Sequence, residues 1–249
     1  MTSSPDGDRA TGTGTTAWRI VSWNLRGSHR PDLAEIAEVV RGYAPDVLAV
    51  QEIWRGQARE LASRLGWQHV WARKHHPWSP LVWWRTEGLA ILSPFPLGTP
   101  VHRSISSGVS TWTYRHRIVL AATVRRGASE ELRLYDTHLA SDDATDQRIV
   151  QLRRVADLVD AEGARWSVVA GDLNDEGEPE VVRELHRVGL RDVDGGATNP
   201  AIAPRQRLDH VVVPEGAVVV DQHEPDGGEH WAELSDHVPV LVAFHLPTS

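Results

Sequence analysis

Apolar and polar positions along this chain fall in short blocks, and their spacing switches between the two-residue period of a strand and the longer period of a helix. Strand-like runs are "WRIVSWNL", ending near Asn24, "PDVLAVQE", ending at Glu52, "GLAILS", "HRIVLAATVRR", "EELRLYDTHL", "WSVVAGDLN", "RLDHVVV" and "PVLVAFHL". Helical spacing appears in "DLAEIAEVVRGYA", where Leu33, Ile36, Val39 and Val40 share a face, and in "GQARELASRLG", stopped by Gly66. The longest helical pattern is "DATDQRIVQLRRVADLVDAEG", with Ile149, Leu152, Val155 and Leu158 on one face. Many strands, few helices and a short turn between "RIVLAATV" and "ELRLYDTHL" predict an α/β fold of two mixed sheets packed face to face, helices outside. No linker rich in Gly, Pro or Ser and no short-period repeat interrupts the pattern, so residues 17–249 are expected to form one domain. Residues 1–16, small and polar, are expected to be a disordered tail, not a signal peptide. No stretch approaches a membrane span. A cytoplasmic monomer without stable membrane insertion is the expectation.

Polar residues collect where these strands end: Asn24, Glu52, His138, Asp172 with Asn174, Asp209, and Asp236 with His237. "GDLND" follows the apolar "WSVVA" directly, and "LSDHVPV" places an Asp-His pair before another apolar run. Carboxylates at the mouth of a buried strand are costly unless a metal, a proton or a cation needs them. A hard cation such as magnesium takes oxygen ligands and keeps several waters, so one or two carboxylates suffice. Glu52 is the leading ligand, because it ends an apolar run with no lysine or arginine immediately beside it.

Composition narrows the chemistry. The chain has 249 residues and no cysteine, which excludes disulfides, zinc-thiolate sites and thiol nucleophiles. A net charge of -8 argues against a broadly basic nucleic-acid surface but leaves room for a local arginine strip. Lys74 is the only lysine, and the remaining positive charge is arginine, read as a compositional bias. Tryptophan is abundant at 11 residues. Trp67 and Trp71 read as core, whereas Trp78, Trp83 and Trp84 in "HHPWSPLVWW" are candidates for stacking on a base or meeting an acyl chain. His75 and His76 read as solvated loop residues, and His210 as pointing to the face opposite Asp209.

In chain order, "SWNL", "VQE", "EGLAILS", "THL", "GDLND", "RLDHVVV" and "LSDHVPV" resemble the endonuclease/exonuclease/phosphatase superfamily of metal-dependent phosphohydrolases. The resemblance spans residues 18 to 245; each motif alone is weak, and seven in this order are specific. It implies a four-layer α/β sandwich with the active site at one edge of the two sheets. It implies that Glu52 is the principal magnesium ligand, with Asn24 beside it and Asp236 a further metal-side or water-bridged carboxylate. His237 matches the catalytic histidine and Asp209 the aspartate that orients it. Asp172 matches the residue that positions the attacking water, and Asn174 the one that holds a phosphate oxygen. His138 matches the second histidine of the deoxyribonuclease- and sphingomyelinase-like branches, and Glu87 falls where those branches place its partner carboxylate. Arg117 resembles the family arginine near the site, while Arg148 and Gln151 match a structural helix pattern. Magnesium is the implied cofactor, with manganese as a substitute.

Arg26 stands where apurinic endonucleases of this superfamily carry an aspartate, and the inositol polyphosphate phosphatase pattern is missing. The expected function is therefore a magnesium-dependent phosphodiester hydrolase, a nuclease acting on DNA or another nucleic acid. The rival is a lipid or small-molecule phosphodiesterase of the sphingomyelinase-like type, which would use the same residues. A binding module without the reaction is disfavoured by the complete polar set.

Overall fold

The structure is a computed structural model and describes residues 16–76, 85–128, 130–141, 145–176 and 179–247. The expected N-terminal tail, but for Thr16, and Trp78, Trp83 and Trp84 lie outside the described residues. In chain order the first half holds β1 (Trp18–Asn24), α1 (Leu33–Tyr43), β2 (Val47–Trp54), α2 (Arg55–Leu65), β3 (Gln68–Arg73), β4 (Glu87–Ser93) and β5 (Val101–Ser104). Then come β6 (Ile118–Arg126), β7 (Glu130–His138), α3 (Thr145–Glu162), β8 (Ser167–Asp172), α4 (Pro179–His186) and β9 (Leu190–Asp192). The last elements are β10 (Asp209–Pro214), β11 (Val218–His223), α5 (Glu229–Leu234) and β12 (Val240–His245).

The strands form two six-stranded mixed sheets, ordered β11-β12-β1-β2-β4-β3 and β5-β6-β7-β8-β10-β9. Each has one parallel pair at its centre, β1 with β2 and β7 with β8, flanked by antiparallel neighbours. Each parallel pair is joined through a helix, α1 in one sheet and α3 in the other, as parallel strands require. Alternation decides the layers. Ile20, Val47, Leu120, Leu134, Val168 and Val211 meet between the sheets. Val21, Leu48 and Val50 pack outward on Leu33, Ile36 and Leu61 of α1 and α2. Tyr135, Val169 and Val212 pack outward on Leu152, Val155 and Val181 of α3 and α4. Helix, sheet, sheet and helix make the four-layer α/β sandwich expected from the sequence.

Local signals set the element ends. Asp32 caps α1 by accepting from the backbone N–H groups of Ala34 at 2.8 Å and Glu35 at 3.3 Å, worth about 1 kcal/mol. Ala44, at φ 46, stops the same helix.

Eight apolar runs were expected as strands, and they are the eight interior strands. The four that the pattern did not announce, β3, β5, β9 and β11, are the four sheet edges. Helices α4 and α5 were also unannounced.

Gly171 shows how closely β7 and β8 approach. A β-carbon there would lie 1.9 Å from the Thr137 carbonyl oxygen, and its φ is 142°. Gly171→Ala is expected to destabilise the fold by about 3 kcal/mol or more, read as a lower urea midpoint with unchanged slope; an unchanged midpoint would contradict this packing.

Candidate active site

The carboxyl ends of the two parallel pairs lie together, the place where α/β sheets bind ligands. In the second sheet His138 is in register with Asp172, and Asp172 with Asp209, so three polar side chains stand in a row across β7, β8 and β10. They share the inner face with Leu134, Ala170 and Val211. In the first sheet Asn24 closes β1 on the same inner face as Ile20. Strict alternation would turn Glu52 outward toward the helices. Instead β2 carries one extra residue between Val50 and Ile53, opposite Ala90 and Gly88, and Glu52 has φ 54. Such a bulge re-aims a side chain, and here the carboxylate of Glu52 comes to lie beside Asn24 and His138.

Asn24 ties the two sheets. Its amide nitrogen donates to Asp172 Oδ2 at 3.0 Å and toward Glu52 Oε1 at 3.4 Å, while its oxygen accepts from the Arg26 backbone N–H at 3.1 Å. Rotating the amide would set two donors against each other at Arg26. Asn24 therefore orients the carboxylates of Glu52 and Asp172, its own oxygen held by the Arg26 backbone. His138 lies 3.8 Å from Glu52 Oε1 through Nδ1 and 3.6 Å from Asp172 Oδ2 through Nε2. His237 Nδ1 meets Asp209 Oδ2 at 2.7 Å, and its Nε2 lies 3.9 Å from Asp172 Oδ2. Asp172 thus sits between both imidazoles at separations too long for direct hydrogen bonds and suited to a bridging water.

The segment carrying His237 is held by residues the motif reading passed over. Ser235 Oγ donates to the Asn24 carbonyl at 2.6 Å, and the His237 carbonyl accepts from Trp23 Nε1 at 2.8 Å. Asn199 Nδ2 donates to the Asp236 carbonyl at 3.0 Å, and Thr198 Oγ1 accepts from the Asp209 backbone at 3.3 Å. Only their position beside the motifs could have drawn attention to them. Asp236 itself pairs with Arg26 at 2.9 Å. Asn174, at φ 49, donates its backbone N–H to Asp172 Oδ1 at 2.9 Å and its side-chain amide to the Leu139 carbonyl at 3.1 Å.

The two histidines are driven to opposite charge states. Burial opposes protonation of His237, but the carboxylate of Asp209, helped by Asp172 and Asp236, pushes its pKa up to about 10. Burial, together with the positive charges of Arg117 and Lys74, holds His138 well below the usual histidine range. Glu52 is pushed up by burial and by the charges of Glu87 and Asp172. Burial also raises Asp172, against the opposing pull of His237. Because His237 sits above its ordinary 6.5, its pairing stabilises the fold fully below about pH 6.5, and that contribution is lost as pH rises through about 10. Asp209→Asn is expected to drop the His237 pKa toward the ordinary range, read by NMR titration of the imidazole; a value still near 10 would show that Asp209 is not the cause.

Glu87 departs from its expected role as the partner of His138. It pairs with Lys74 at 2.9 Å, and Glu52 and Asp172 are the carboxylates nearest His138. The reason is reach along the strand edge: Lys74 follows β3, which pairs with β4 where Glu87 begins it, and the lysine is buried there. Lys74 is the buried neighbour of the site that the motifs missed; its being the one lysine in an arginine-rich chain was the available signal. Arg117 is buried nearby, close enough to depress His138 and Lys74. Arg148 pairs with Asp175 at 3.4 Å and Gln151 accepts from the Ala140 backbone at 2.9 Å, both structural as expected. His210 turns away from the row to Asp192 at 3.0 Å and the Asp175 carbonyl at 2.7 Å. His75 and His76 are half-buried, and His76 stacks on Trp112. Trp67 and Trp71 pack against the core under α1 and α2.

The sequence matches the Endonuclease/Exonuclease/phosphatase family over residues 21–237, which takes in every one of these side chains. The chain belongs to this family. It is a phosphohydrolase by membership. No curated protein matches it. Among solved structures, an endonuclease/exonuclease/phosphatase from Beutenbergia cavernae is 22% identical, covering 94% of this chain and 72% of that one, with a TM-score of 0.72. A mannosyl-6-phosphatase from Bacteroides thetaiotaomicron is 18% identical over 92% of this chain and 100% of its own, TM-score 0.72. The human Nocturnin catalytic domain with bound sulfate is 20% identical over 92% and 93%, TM-score 0.70. These likenesses establish the shared fold.

Family members generally use divalent metal ions, and the donor set here fits one. Oxygen donors dominate, as a hard cation prefers. Burial, with the charges of Glu87 and Asp172, raises Glu52, and a cation there would offset both. Asp172, Asp209 and His237 also bring one ligand atom each within 4.8 Å of one another, all buried, and could hold a metal ion. Among the described residues, no helix is long and apolar enough to cross a membrane.

Proposed function

We propose that this phosphohydrolase is a magnesium-dependent phosphodiesterase that cuts nucleic acid, with manganese as a substitute metal. The observation that carries the reading is the pair of histidines set around Asp172 beside Glu52, His237 held protonated and His138 held neutral. Glu52 would hold the cation, Asn24 fixing its carboxylate, with Asp236 further out against Arg26. Bound there, the cation supplies Lewis-acid neutralisation of charge on the non-bridging phosphate oxygens.

The protein's own groups do the rest. His237, charged, donates from Nε2 to an oxygen on which negative charge builds. Asp172 orients the attacking water, and neutral His138 is the acceptor placed to receive a proton. Asn174 keeps a side-chain N–H for a phosphate oxygen. Two imidazoles whose surroundings push them apart in pKa are the arrangement in which acid and base roles divide.

Nucleic acid is favoured over a lipid or small-molecule diester because Arg55, Arg59 and Arg73 line one cavity with Lys74, the lysine paired to Glu87. Supercoiled plasmid and a single-stranded circle, incubated in magnesium, are expected to be cut, with cutting lost in EDTA and in Asp172→Asn. Folded, magnesium-binding protein that cuts neither would move the substrate to lipid or small-molecule diesters of the sphingomyelinase-like type.

A further inference from the structure

A cavity of about 1360 Å³ opens between the edge strands β3 and β5, one from each sheet, with α2 on its flank. It exceeds the roughly 300–1,000 Å³ of a pocket built for one small ligand. Its buried floor includes Lys74 and His116, joined where His116 Nδ1 meets the Lys74 carbonyl. Through Lys74 and Glu87 the floor adjoins Glu52.

The charge of this cavity is one-sided. Arg55, Arg59, Arg73 and Arg103 line it; Arg103 also lies close enough to Glu162 to lower its pKa, while the other three form no ion pair among the described residues. Glu60 is the one lining acid among the described residues, and it is already taken by Arg64 at 2.7 Å. In a chain of net charge -8, three guanidinium groups without an ion-pair partner among the described residues on one cavity are a local reversal of sign. His69 registers it: burial, then Arg59 and Arg55, hold its pKa below the usual range.

At the rim, the loop that supplies Thr111 and His116 exposes Trp112 and Tyr114, at 64% and 62%. Trp112 stacks on the lining residue His76 with centroids 4.5 Å apart, and Arg115 lies 5.9 Å over the Tyr114 ring. Large aromatics left in water beside a cationic channel are the two parts of a single-strand site, rings for unpaired bases and arginines for phosphates. A duplex hides its base faces and would use only the second part. A lipid headgroup would use neither the length nor the repeat of charge.

We propose that this cavity is a track for single-stranded nucleic acid leading to the catalytic edge. The proposal rests on the phosphodiesterase reading and deepens it by naming the form of the substrate. Fluorescence anisotropy with a labelled oligothymidine and a duplex of equal length, in EDTA so that nothing is cut, tests it in the full chain. The single strand is expected to bind at least about tenfold more tightly than the duplex, and Trp112→Ala to weaken it about tenfold.

Arg59→Ala with Arg73→Ala is expected to lower the slope of log affinity against log salt by about 1.4, at about 0.7 per phosphate released from contact. Arg187→Ala, just past α4 where Arg187 pairs with Asp157, should leave the slope unchanged. Equal affinity for duplex, unchanged slopes in the arginine pair, or binding of phosphatidylserine vesicles in place of the oligonucleotide would each overturn the track. Hydrolysis of bis(4-nitrophenyl) phosphate in magnesium, measured separately, reports on the catalytic reading alone, so either can fail while the other stands.

Discussion

His237→Ala is expected to lower turnover by about 10²- to 10⁴-fold, the usual contribution of a positioned acid or base. The expectation follows from the electrostatics around one atom. Nδ1 is committed to Asp209 at 2.7 Å, which fixes the ring and leaves Nε2 to face Asp172 and the substrate. Alanine removes the charge, the donor and the orientation together. Substrate affinity should survive, because Glu52, Asn174 and Arg117 remain, so the loss belongs in kcat and KM should move little. Losing the buried pair with Asp209 also costs stability, so kcat is to be compared on protein shown to be folded by circular dichroism. A fall of less than about threefold in kcat would remove His237 from the chemistry.

Glu52→Gln is expected to abolish the heat of magnesium binding in titration calorimetry, and activity with it. Affinity should drop by more than about 100-fold, beyond the 10–100-fold typical when a mere supporting partner of a ligand is lost. The amide keeps the size of the side chain and removes its charge. Stability separates this result from unfolding. The Glu52 pKa is raised in the fold, so its ionised form opposes folding, and stability is lost as pH rises through the raised value. At pH 7 the glutamine variant should therefore melt at or above the temperature of the parent protein. Retained magnesium heat would place the metal at Asp172, Asp209 and His237 instead.

How far the sequence could be read depended on burial. A strand covered on both faces is apolar at almost every position and announces itself. The eight interior strands are of this kind, with "SVVAGD" of β8 buried throughout. Edge strands need cover one side only. "QHVWAR" of β3 and "VVVDQH" of β11 are mostly half-buried or exposed, and neither reads as a core strand. The polar set at the strand ends was legible for the same reason, since a carboxylate after an apolar run is conspicuous.

What stayed hidden was direction. Nothing in "VLAVQEIW" reveals that one extra residue enters the ladder at Glu52 and turns its side chain inward. Nor does spacing show that Glu87 finds Lys74 across the sheet edge before it can find His138. The orientation of the Asn24 amide depends on a backbone N–H two residues later, a contact made only in the folded turn.

The site draws its groups from both sheets, Asn24 and Glu52 from one, His138, Asp172 and Asp209 from the other, with His237 entering just before β12. β12 pairs with β1, so the strand that seats His237 cannot dock until synthesis has passed all the others. A nascent chain emerging from the ribosome therefore has no complete site until β12 has been made.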